Sequence, residues 1–96
     1  MRLVYHQDVQ SDVNQALERY QSISPQLAET LWGELQANFT RIKENPLACH
    51  FETPPFRRAN LKRFPYAILY RVFSDHVKIM VIKHVKRRAD FGLKRR

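Results

Sequence analysis

The sequence holds a single cysteine, Cys49. That excludes an internal disulfide and any cysteine-rich zinc site. No apolar run is long enough to cross a bilayer, so no membrane partner is expected. The opening residues Met1-Arg2-Leu3-Val4-Tyr5-His6-Gln7 turn polar too soon to form the core of a secretion signal, and the expected placement is the cytoplasm. Acidic residues are scarce in one half only. From Phe56 to Arg96 thirteen Lys/Arg face just Asp75 and Asp90, a net charge of +11. From Met1 to Pro55 four basic residues face seven acids, a net charge of −3. A like-charged surface repels itself and weakens the compact state, so such asymmetry points to an acidic or polyanionic partner.

What is present fits one domain over residues 1–96, with enough chain for one core. A hydrophobic content of 44% is that of a globular chain. Arg2 to His6 reads as a short strand. Val9, Val13, Ala16, Leu17 and Tyr20 recur at helical spacing, which predicts a helix from Asp8 to about Tyr20. Ser24-Pro25 reads as a helix start with Ser as the cap. Ala28, Leu31, Trp32, Leu35, Phe39 and Ile42 continue as a core stripe until Asn45-Pro46. Gly33 reads as a close crossing with the first helix. Pro46 to Pro55 reads as an irregular connection.

The second half alternates. Arg57 to Arg63 is a weak strand, with Ala59 and Leu61 on one face; Ala67–Phe73 and Val77–His84 are clear ones. A two-residue loop at Ser74-Asp75 pairs Val72 with Val77, Tyr70 with Ile79 and Ile68 with Val81, all apolar or aromatic. A one-residue slip would bring Arg71 and Lys78 into the core. The expected fold is α+β: a two-helix hairpin on one face of a four-stranded, mostly antiparallel sheet. The opposite face then carries Leu69, Arg71, Phe73, His76, Lys78, Met80, Ile82 and His84, joined by Arg58, Asn60 and Lys62.

Three segments carry a family resemblance. Leu61-Lys62-Arg63-Phe64-Pro65-Tyr66-Ala67-Ile68-Leu69-Tyr70-Arg71-Val72 resembles the central hairpin of the RelE/ParE toxin superfamily. Ile79-Met80-Val81-Ile82-Lys83-His84, followed by Arg87-Arg88 and a basic terminus, is similar to its last strand and exit, in the "plasmid stabilization" branch. The resemblance implies the toxin of a type II toxin–antitoxin pair, without cofactor or metal, held in a hetero-oligomer by a cognate antitoxin. RelE-like members cut mRNA on the ribosome without metal; ParE-like members poison DNA gyrase.

Metal-free RNA cleavage needs a base for the 2′-hydroxyl, cations on the phosphate and an acid for the leaving oxygen. Arg71 matches an arginine that RelE-like enzymes place on the scissile phosphate, and reads equally as the partner of an antitoxin carboxylate. His84 suits acid–base work or anchoring of the tail. Arg58, Lys62, Lys78, Arg87 and Arg88 are candidates for target or phosphate binding, with a solvated basic face as the plain reading. Leu69, Arg71, Phe73, Met80 and Ile82 are expected to receive an acidic and apolar antitoxin segment. Where many RelE-like enzymes keep a tyrosine, this tail has Phe91, whose ring cannot transfer a proton; that favours a gyrase target. Cys49-His50 with Glu52 has no partner at ligand spacing. A nucleic-acid-binding module without toxicity is the reading from another class, although the helices read as core elements rather than a recognition pair.

Overall fold

The expected order of strand, two helices and further strands is present, with one strand more than expected. The computed structural model describes residues 1–96. Its elements are β1 (Arg2–Tyr5), α1 (Val9–Gln21), α2 (Pro25–Glu44), β2 (Phe51–Thr53), β3 (Phe56–Asn60), β4 (Tyr66–Val72) and β5 (His76–His84). They form a sheet in the order β1-β5-β4-β3-β2. β1 runs parallel to β5, and the other pairings are antiparallel. The sheet is therefore five-stranded and mixed, not four-stranded and mostly antiparallel. The added strand lies in the segment expected to be irregular. β2 has three exposed residues and pairs Phe51 with Arg57 and Thr53 with Phe56. Three residues are too few to show a period in sequence.

The helices bury one stripe each. Val9, Val13 and Ala16 of α1, and Leu31, Leu35, Phe39 and Ile42 of α2, pack on Ile68, Tyr70, Val77, Ile79 and Ile82 of the sheet. Pro25 opens α2 as expected, but Ser24 caps by position only: its hydroxyl bonds Gln26 Oε1 at 3.0 Å rather than a helix amide. Trp32 falls at the edge of the stripe and is 40% exposed, so it is not a core residue. Gly33 has open space around it and marks no helix crossing.

The β4–β5 register holds at first. Phe73 N–H donates to His76 O at 2.8 Å across the Ser74-Asp75 loop, Val72 faces Val77, and Tyr70 faces Ile79. A bulge then intervenes. Leu69 pairs with Val81 and Ile68 with Ile82, not with Val81, so Met80 is the extra residue. From that point every β5 side chain changes face. Ile82 enters the helix-side core, whereas Met80 and Val81 both join Leu69 and Phe56 on the far face.

That far face is half covered by the chain's own end. Phe91 and Leu93 pack on the cluster of Phe56, Leu69, Met80 and Val81. Gly92, at φ 78°, lies so close to Val81 that an added Cβ would sit 2.5 Å from Cγ2. Only glycine allows both that backbone angle and that approach. Lys83, buried on the same face, donates from Nζ to the carbonyls of Arg88 at 3.2 Å and Ala89 at 3.4 Å. Burial holds its pKa below the ordinary lysine value, helped by the charge of Arg58.

Candidate functional site

The uncovered half of the far face lies at the β4–β5 turn. Arg71 and Lys78 stand directly opposite each other in the ladder. Like charges in that position destabilise a sheet, so this pair is not explained by folding. The Arg71 guanidinium lies 4.8 Å from the Phe73 ring and 6.0 Å from the Phe56 ring. Its Nε is buried and has no hydrogen-bond partner. Phe73 stacks on His76 at 4.6 Å and 10°, and His76 Nδ1 meets Asp75 Oδ1 at 2.7 Å. That hydrogen bond lowers the Asp75 pKa. The result is a half-buried platform of two rings and two cations, with a donor left unused.

The other expected site residues are dispersed. Arg58 shares the far face but is engaged, with its Nε on Asn60 Oδ1 at 2.8 Å and its NH1 on Glu52 Oε2 at 2.7 Å. Lys62 is exposed in the β3–β4 connection, where the Glu34 carboxylate accepts the backbone N–H groups of Lys62 and Arg63. Arg87 is exposed over the Phe91 ring at 4.2 Å. Arg88 is exposed and pairs with Asp90 at 3.4 Å. Leu69 and Met80 are fully buried and Ile82 nearly so, so none of the three is open to a partner as expected. The tail covers the first two, and the bulge turns the third into the core.

The bulge also moves His84. The expected register put it on the same face as Arg71. It pairs instead with Tyr66 and meets that ring edge-on at 5.1 Å, on the helix side. Arg71 lies five residues further along β4, roughly 17 Å at strand rise. Arg71 and His84 thus occupy opposite faces and opposite ends of the hairpin, and cannot flank one scissile phosphate.

Four features escaped the sequence reading. Lys83 counts in the sequence as one more cation, but it is buried. Arg95 closes a bond to Asp12 on α1. The tail residues Phe91 and Leu93 pack; their placement on either side of a glycine was the available signal. A groove between β1 and α2, lined by Leu3, Tyr5, Val13, Trp32 and Phe39, leaves apolar surface uncovered. Cys49 packs at the edge of the main core, and its carbonyl accepts Arg57 NH1 at 2.7 Å.

Comparison with known proteins places this geometry. The family model described as the ParE toxin of the type II toxin–antitoxin system parDE matches residues 3–90. The chain belongs to the ParE toxin family. It is thereby a toxin of the RelE/ParE superfamily, as the hairpin motifs implied. A solved chain from the chromosomal ParDE toxin–antitoxin system of P. aeruginosa has the same fold, with TM-score 0.77, 19% identity, and coverage of 88% of this chain and 95% of that one. No curated protein matches the sequence. In this ParE-family chain no helix is long and apolar enough to cross a membrane.

Proposed function

We propose that the chain stops growth by poisoning DNA gyrase and is restrained by a cognate antitoxin in a toxin–antitoxin hetero-oligomer in the cytoplasm. The observation that carries the choice of target is the separation of Arg71 from His84. Acid–base cleavage of RNA needs proton carriers and phosphate clamps around one phosphorus atom. Here the expected clamp and the expected acid–base group diverge, and Phe91 is packed under Arg87 without a hydroxyl to offer. Membership of the ParE family supports the same target.

The platform at the β4–β5 turn is the part of the far face left for the antitoxin. An antitoxin carboxylate would pair with the outer nitrogens of the Arg71 guanidinium and relieve its repulsion with Lys78, while apolar residues lie on Phe73. The thirteen cations from Phe56 onward speed the encounter more than they tighten the complex.

Induction without antitoxin tests the proposal, with full-length protein shown to be folded. Growth arrest with accumulating DNA breaks, and gyrase-dependent cleavage complexes with purified enzyme, is expected. Ribosome-bound mRNA cut near the A site with gyrase unaffected would replace the reading with a RelE-like ribonuclease. Normal growth together with nucleic-acid binding would favour the non-toxic binding module.

A further inference from the structure

A cationic cleft opens at the free edge of β5, where β1 has ended and α1 faces the chain leaving the strand. Arg19 from the last turn of α1, Tyr66 of β4, His84 of β5, and Lys86 and Arg87 beyond it line this cleft. Arg19, Lys86 and Arg87 take part in no ion pair, whereas Arg2, Arg58, Arg88 and Arg95 all do. The carboxylate on the cleft wall, Asp12, is already occupied by Arg95 and by the Ile82 N–H. Three full charges therefore converge with nothing to neutralise them.

The donors are also set in place. The Lys86 backbone N–H donates to His84 Nδ1 at 3.1 Å. In the neutral ring that leaves the proton on Nε2, so the free nitrogen is a donor. Arg19 and Tyr66 share the cleft wall. Arg87 rests on Phe91. A planar carboxylate is satisfied by one guanidinium fork. Two arginines from separate elements, a lysine and an imidazole offer more donors than one carboxylate uses, and match the several oxygens of a tetrahedral oxyanion.

We propose that this cleft is a phosphate-binding site, formed by Arg19, His84, Lys86 and Arg87, that takes a phosphodiester or phosphate monoester oxyanion. It is separate from the Arg71 platform and does not depend on which target the toxin attacks. Burial and the charges of Arg19 and Lys86 lower the His84 pKa in the free protein. A bound anion supplies the missing opposite charge, so the imidazole should become easier to protonate. Tyr66 and Arg87 face the same ring; Asp12 stays tied to Arg95, and Lys83 turns away to the tail carbonyls.

The test is an NMR titration of the full chain, following the four histidine rings at constant ionic strength. Inorganic phosphate should shift His84 saturably and raise its pKa, with His76 and His50 unaffected. Arg19→Gln and Arg87→Gln, both at exposed positions, should each weaken this by roughly tenfold, the loss of one charge-assisted contact. Arg71→Gln should leave it unchanged. A short single-stranded DNA that saturates the same shift at lower concentration would identify a polynucleotide backbone as the source. Phosphate that binds without competition from the DNA would identify a free or terminal phosphate. Acetate acting as strongly as phosphate, no saturation, or equal weakening by Arg71→Gln would overturn the site.

Discussion

Arg95 and Asp12, 83 residues apart in sequence, form a fork: Arg95 NH1 lies 2.6 Å from Asp12 Oδ2 and NH2 lies 3.0 Å from Oδ1. The pair sits where β5 has no strand beside it. Asp12 Oδ2 accepts the Ile82 N–H at 3.0 Å, and Arg95 NH1 donates to Met80 O at 3.0 Å. Two side chains therefore serve the backbone groups that β1 is too short to reach.

Removing Arg95 leaves a buried carboxylate without its cation. Arg95→Ala is expected to destabilise the protein by about 3 kcal/mol, whereas Asp12→Leu with Arg95→Leu together costs less than the single change. Urea denaturation of the three chains measures this. A single variant within about 0.5 kcal/mol of the parent would show that the pair carries no stability.

Gly92 offers a second check on the tail. Its positive φ costs any other residue about 1–2 kcal/mol, and a Cβ would meet Val81 besides. Gly92→Ala is expected to lower the melting temperature by roughly 5–10 °C, from the scaling for a domain of this size. It should also speed amide exchange at Val81. Unchanged exchange would mean the tail does not pack there.

The helices, the hairpin turn and the first half of the β4–β5 pairing were legible because burial imposes a period on them. Val9, Val13 and Ala16 cannot be spaced otherwise and still face one core. The bulge at Met80 was not legible. Met80, Val81 and Ile82 are all apolar, so no polar residue marks which of them changes face. One extra residue then carried the error to Ile82 and His84. The platform is half legible: alternation puts Arg71 and Lys78 on the far face, but it cannot show that Leu69 and Met80 beside them are buried. What hides them is the tail, whose dense charge made it read as a solvated end.

Lys83 links stability to pH. Its folded pKa is depressed, chiefly by burial, so the unfolded chain binds a proton that the folded chain gives up. Stability should therefore rise with pH from the depressed folded value towards the unfolded value of about 10.4. The tyrosines act in the opposite sense. Burial raises the pKa of Tyr5, Tyr66 and Tyr70, and folded stability is lost as they ionise more readily in the unfolded chain above about pH 10. A rise followed by a fall is expected in denaturant midpoints across alkaline pH. Lys83→Met should abolish the rise and keep the fall. A rise that survives in the variant would assign it to another group.

Arg71 separates binding from folding. Its side chain lies on the far face beside Phe73 and makes no hydrogen bond through Nε. Arg71→Ala removes the repulsion with Lys78 but uncovers part of two rings, so the net change in stability should stay within about 1 kcal/mol. Antitoxin affinity should fall more sharply. Losing a charge-assisted hydrogen bond and its ring contact predicts roughly tenfold to a hundredfold weaker binding, mainly through faster dissociation. Arg71→Lys should recover little, because an ammonium cannot reproduce the planar fork or its stacking. Surface plasmon resonance on the folded variants can compare the three chains. Equal dissociation rates would remove Arg71 from the antitoxin interface, and an unfolded Arg71→Ala would mean the residue belongs to the fold instead.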